Sequence, residues 1–306
     1  MNNFYDRERI CSISFSDFGP CWHLNTPENH PILFTCDAEF EMAMNIIAIC
    51  ARLHPEVRII TFEWMSNHLH VLGAGQEADI HAFFASVKQM LCRQLKAWGR
   101  PDALPQFKPK LRAVLSLEDA RNVLVYDNRN GFLVNPMTTP FTYLWGANRY
   151  FFNDEAKKRY FQCRSKLTRR QIRDCSRGRY ADAIDDIHTL DGYACPMDFC
   201  DITGGERLFR DARHYFYALS RNVESQKKIA SEIGERVFYT DDELFTIIVY
   251  FSKDRYGIHS PGQLPAQAKV EVARMMHFDY NASNKQIQRM LRLEAETVAA
   301  LFPSHK

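Results

Sequence analysis

The chain has 306 residues, 46% of them hydrophobic, and a nearly balanced charge of 39 Lys and Arg against 37 Asp and Glu. That is enough apolar material for about two packed domains, and a net charge of +2 does not by itself announce a nucleic-acid protein. No apolar run approaches the ~18 residues of a membrane span. The polar start Met1-Asn2-Asn3-Phe4-Tyr5-Asp6 lacks the pattern of a signal peptide, and the nine scattered cysteines form no paired framework, so a cytoplasmic protein with reduced thiols is expected.

In chain order, Cys21 to Thr26 suggests a short strand, and Asp37 to Leu53 an amphipathic helix with Phe40, Ala43, Ile46, Ile47 and Ile49 on its apolar face. The run from Val57 to Leu72 is β-branched and aromatic. It fits one strand, or two with a tight turn at Ser66-Asn67. After Gly73-Ala74-Gly75, Asp79 to Trp98 shows helical spacing, and Leu111 to Leu115 fits a further strand. The order β-α-β-β-α-β predicts an α+β sandwich with an antiparallel sheet and its helices on one face. Ser116 then caps a helix expected to run to Asn130 and stop at Gly131.

Chemistry concentrates in two places. Alternation along a strand puts His68 and His70 side by side on one face, with Leu69 and Val71 turned into a core. Two neutral imidazoles on a rigid element suit a divalent cation. On the helix after Ser116, Asp119, Asn122, Tyr126 and Asn130 form a polar stripe, and Tyr126 and Asn130 share a face at i, i+4. Glu63 is the acid closest to the histidines. Its odd separation from them along a single strand predicts that it points away, which ranks a metal-dependent hydrolase last.

The stretch Trp64-Met65-Ser66-Asn67-His68-Leu69-His70-Val71-Leu72 resembles the histidine–hydrophobic–histidine (HUH) strand of single-tyrosine transposases, especially the REP-associated tyrosine transposases. The later segments Gly131 to Val134 and Pro140 to Phe151 also resemble that family, and the likeness covers about residues 20 to 152. It implies a ferredoxin-like (RRM-like) HUH sandwich. It also implies Mg²⁺ or Mn²⁺ held by His68, His70 and a polar third ligand, here Asn130, with Tyr126 as nucleophile. The implied activity is cleavage and rejoining of single-stranded or hairpin DNA through a 5′-phosphotyrosine intermediate, in the nucleoid. Relatives act as monomers or as dimers, so a homodimer is one expectation. Many members place the tyrosine about one turn earlier, near Asn122 or Val123, where this chain has none. Either the nucleophile has moved to Tyr126, or the chain is a domesticated, catalytically silent DNA-binding protein.

Beyond residue 155 the reading is coarser. Ten Lys or Arg and one acid lie between Lys157 and Tyr180, so residues 156–190 are expected to be a basic linker. Its Lys166, Arg169, Arg170 and Arg173 are candidate DNA contacts, as are Arg93 and Lys96 of the second helix, with Tyr160 and Phe161 able to stack on bases. Cys195, Cys200 and His188 are a minor candidate for zinc. Residues 191–306 are expected to be helical. Within them the stretch from Ser283 to Val298 resembles a helix-turn-helix, spanning about 264–302, in which Arg292 stands at the usual turn glycine and the would-be recognition helix carries two acids and no Lys or Arg.

Overall fold

The computed structural model describes residues 15–28, 30–101, 104, 107–134, 141–178, 180, 184, 186–221, 239 and 241–303. The chain divides into two compact units, Met1–Asn222 and Val223–Lys306. No helix among the described residues is long and apolar enough to cross a membrane.

The first unit is built on strands β1 (Cys21–Asn25), β2 (Arg58–Trp64), β3 (Leu69–Ala74) and β4 (Lys110–Val114), in the order β2-β3-β1-β4. Every pairing is antiparallel. The Val57–Leu72 run is two strands. Met65 N–H donates to the His68 carbonyl at 2.9 Å and closes the turn between them. Residues directly opposite in an antiparallel pair share a face. His23 lies opposite Leu72, and His70 lies opposite both Asn25 and Glu63, so one face carries His23, Asn25, Glu63, His70 and Leu72. The other carries Leu24, Phe62, Leu69 and Val71, all buried.

Helices α1 (Asp37–Leu53) and α2 (Glu77–Ala97) pack together on this apolar face. Gly73 permits the close approach of α2, because a Cβ there would meet the Ile80 side chain at 3.3 Å. The two helices of the β-α-β-β-α-β unit thus share one face, and α3 (Leu117–Val134), which follows it, packs on β2 and β3 from the opposite side. Its start is as expected: the Asp119 N–H donates to Ser116 Oγ at 3.1 Å, and the Asp119 carboxylate takes two hydrogen bonds from Arg112 of β4. Its end is not, because the helix runs through Gly131. That glycine makes room: a Cβ there would lie 2.3 Å from the Tyr143 ring, whose hydroxyl donates to the Trp64 carbonyl.

Residues 156–190 carry most of α4 (Asp154–Cys163), then β5 (Ser165–Lys166), α5 (Arg169–Ser176) and β6 (His188–Leu190). With β7 (Tyr193–Ala194) these strands form a second sheet, tied to α1 where the Ala194 N–H donates to Asn45 Oδ1 at 2.8 Å. Helices α6 (Ile202–Arg207) and α7 (Ala212–Arg221) complete the unit. Leu208, Phe209, Tyr215 and Leu219 are buried there, as core rather than as a stacking surface.

The second unit contains α8 (Asp241–Tyr256), α9 (Ala266–Phe278), α10 (Asn284–Leu291) and α11 (Ala295–Leu301). Leu244, Ile248, Val272, Met276, Ile287, Leu291 and Val298 form its core. Ser283 and Gln286 make a reciprocal capping box at the start of α10. Arg292, in the turn between α10 and α11, adopts φ +51°, the left-handed conformation a glycine takes without strain.

Candidate metal centre

The polar face of the sheet and α3 enclose a cluster with no exposed surface. His23 from the middle of β1, His70 from β3 and Asp127 from α3 are each fully buried. Their ligating atoms all lie within 4.8 Å of one another, and the group could hold a metal ion. His23 Nε2 lies 2.9 Å from Asp127 Oδ1, and His70 Nδ1 lies 3.6 Å from the same oxygen. The short His23 contact lacks the angles of a hydrogen bond. A nitrogen and a carboxylate oxygen held close without a proton aimed between them suit donors converging on a shared cation. Ligand distances of about 2.0–2.2 Å demand separations of this order.

Electrostatics favour the same use. Burial lowers the His70 pKa to about 4, against the raising effect of Asp127 and with a smaller lowering effect of His23. The ring is therefore neutral at physiological pH and keeps a lone pair for a ligand.

The residues singled out in the sequence surround this group. His68 lies just before β3, its ring 4.9 Å from that of His70 and edge-on to it. Tyr126 packs edge-on against His70 and His23, with ring centres 5.7 and 6.1 Å away, and is only 3% exposed. Asn130 Nδ2 lies 3.2 Å from His70 Nε2. Asn130 thus meets one ring nitrogen of His70 while Asp127 faces the other. A cation held by His23, His70 and Asp127 leaves Asn130 beside the remaining nitrogen, where its amide, turned over to present the oxygen in place of Nδ2, can accept the ring proton and fix the tautomer.

Two members of the cluster, His23 and Asp127, were missed by sequence reasoning. Alternation in Cys21–Asn25 does place His23 and Asn25 on one face, but only the β1–β3 pairing brings that face to His70. Asp127 lies three residues before Asn130, on the same side of α3, beside a tyrosine that drew attention first. The placement of Glu63 is a correction. Since β2 and β3 form a hairpin, Glu63 sits directly opposite His70 and on its face. It accepts the Gly131 N–H at 2.9 Å, and burial raises its pKa well above the carboxylate norm.

The minor zinc candidate dissolves into ordinary contacts. The Cys195 thiol donates to the Tyr150 hydroxyl at 3.1 Å, and His188 Nδ1 lies 2.7 Å from Asp198. The basic residues are elsewhere. Arg93 and Lys96 flank Gln94 of α2, whose amide donates to the Asp174 and Cys175 carbonyls of α5, so α2 neighbours the helix carrying Arg169, Arg170 and Arg173. Lys166 pairs with Asp186 at 2.7 Å, and Arg170 lies 3.9 Å from Asp174. These cations occupy the layer across the sheet from the histidine cluster.

No family model matches the chain, and neither a curated protein nor a solved structure matches it.

Proposed function

We propose that this chain is a metal-dependent DNA-strand transferase: a single-tyrosine HUH transposase of the REP-associated kind, its β-α-β-β-α-β layer being the ferredoxin-like HUH sandwich. The observation that carries the reading is the meeting of His68 and His70 of the hairpin with Tyr126 and Asn130 of α3, about sixty residues later in the chain. In this reading His23, His70 and Asp127 hold the cation with His68 beside them, and Asn130 orients the His70 ring. Two imidazoles and a carboxylate suit Mn²⁺ better than Mg²⁺, which prefers oxygen ligands.

A divalent cation held there would polarise the scissile phosphate and stabilise the departing 3′ oxygen. Tyr126 supplies the nucleophile: its phenolic oxygen bonds the phosphorus, the bond from phosphorus to the 3′ oxygen breaks, and the phenol's proton passes to that oxygen. The product is a 5′-phosphotyrosine link and a free 3′-hydroxyl, which can later attack the link and rejoin strands without ATP. The cations of α2 and α5 bind flanking DNA by salt-sensitive phosphate contacts.

The burial of Tyr126 favours a second reading, a catalytically silent DNA-binding protein on the same scaffold. Incubation with Mn²⁺ and labelled single-stranded hairpins separates the two. The transferase yields a DNA–protein adduct that survives denaturing electrophoresis and disappears in Tyr126→Phe and in His70→Ala. Salt-sensitive binding with no adduct selects the silent reading, and an adduct surviving in Tyr126→Phe moves the chemistry to another residue.

A further inference from the structure

Of the two aromatic residues of α4 expected to stack on bases, the structure leaves one within reach. Tyr160 is only 3% exposed, and its hydroxyl lies 3.4 Å from Asp198 Oδ1. Phe161 is 61% exposed. The buried ring supports the open one, with centres 5.2 Å apart and planes at 65°. The guanidinium of Arg164, the C-cap residue of α4, lies 5.7 Å from both ring centres. Lys158 stands three residues before Phe161 and Arg164 three after it, spacings that make neighbours on a helix surface. Both cations are exposed, and neither forms an ion pair among the described residues. Other basic residues around them are neutralised: Lys157 is held by Glu206, Arg159 by Asp191 and Lys166 by Asp186, at 2.5 to 2.7 Å. The acids of α4, Asp154 and Glu155, are confined to its first turn, away from Phe161.

We propose that Phe161, flanked by Lys158 and Arg164, is a stacking step for an unpaired base of single-stranded DNA. An aromatic face open to solvent between two unneutralised cations pairs base stacking with attraction for the phosphates on either side. A duplex presents the same phosphates but keeps its base faces stacked inside, so it uses the cations and leaves the ring idle. The choice of DNA rests on the strand-transferase reading, whereas the choice of an unpaired base rests on the exposed ring and its two cations.

Fluorescence anisotropy of a labelled oligothymidylate with the full-length chain, without metal, tests the step. Phe161→Trp should bind as the wild type does. Phe161→Leu, which keeps apolar bulk but no ring, and Phe161→Ala should each bind about 5- to 100-fold more weakly, the worth of one base–aromatic stack. On a labelled blunt duplex the same variants should stay within about twofold of wild type. Lys158→Gln and Arg164→Gln should each reduce the slope of log affinity against log salt by about 0.7 on the single strand. Phe161→Leu or Phe161→Ala within about twofold of wild type on the single strand, or an equal loss on the duplex, overturns the inference. A wild type that binds no oligothymidylate overturns it too. Affinity that depends on Phe161 in a chain forming no Mn²⁺-dependent adduct upholds this site and removes the transferase reading. An adduct formed by a chain whose single-strand affinity ignores Phe161 does the reverse.

Discussion

Gly131→Ala tests how tightly α3 is seated on the sheet. In an open helix this change gains about 1 kcal/mol, because alanine loses less backbone freedom than glycine. Here the new Cβ would lie 2.3 to 2.5 Å from three ring atoms of Tyr143, against about 3.4 Å for ordinary contact, so the ring or the helix must move by about 1 Å. The ring has little freedom, since its hydroxyl is tied to the Trp64 carbonyl. Movement of the helix instead stretches the bond from the Gly131 N–H to Glu63. Overpacking of this kind costs about 1–3 kcal/mol, and a weakened buried hydrogen bond about 1 more. The net expectation is a loss of about 1–3 kcal/mol, or roughly 3–10 °C in melting temperature for a unit of this size. Differential scanning calorimetry reads it. In a Tyr143→Ala background, where the ring is gone, the same substitution should be neutral or stabilising. A melting temperature that rises in the Tyr143 background would refute the close seating of α3.

Three further outcomes follow from the buried cluster. His70 has a pKa lowered to about 4 by burial, against 6.5 for an ordinary histidine, so below pH 6.5 the unfolded chain takes up a proton that the folded one refuses. The metal-free protein should therefore lose on the order of 3 kcal/mol between pH 6.5 and 4, and His70→Phe should flatten that part of a urea-derived stability profile. Glu63 carries a raised pKa, mainly from burial, so its penalty is absent below the ordinary carboxylate range and grows as pH rises above it. Glu63→Gln should be near neutral at pH 4 and progressively stabilising toward pH 8 in the same assay; a stabilisation independent of pH would contradict this. Mn²⁺ at one hundred times its dissociation constant should stabilise the protein by about 2.7 kcal/mol, roughly 5–11 °C in a thermal shift assay. That shift should vanish in His70→Ala.

Much of the first layer was legible because its elements are short and strongly patterned. The helix Asp37–Leu53 is found at its expected bounds, and the strands near 21–25, 58–64, 69–74 and 110–114 follow β-branched or alternating runs. What local pattern could not supply was pairing. Glu63 faces away from His70 if the run is one strand and toward it if the chain turns at Ser66-Asn67, and only the register decides. His23 has no local signal that separates it from an ordinary strand histidine until β1 is laid beside β3. Gly131 looked like a helix stop because glycine commonly is one, yet its role is to admit the Tyr143 ring. The family resemblance implied Asn130 as third ligand, one turn after Tyr126, whereas the carboxylate that lies against both His23 and His70 is that of Asp127.

The most direct test of the metal centre is anomalous diffraction at the manganese edge from crystals grown with Mn²⁺. The account predicts a single strong peak enclosed by β1, β3 and α3, about 2.0–2.2 Å from nitrogens of His23 and His70 and an oxygen of Asp127. Well-ordered crystals with manganese only at surface carboxylates, and none between these three side chains, would contradict it.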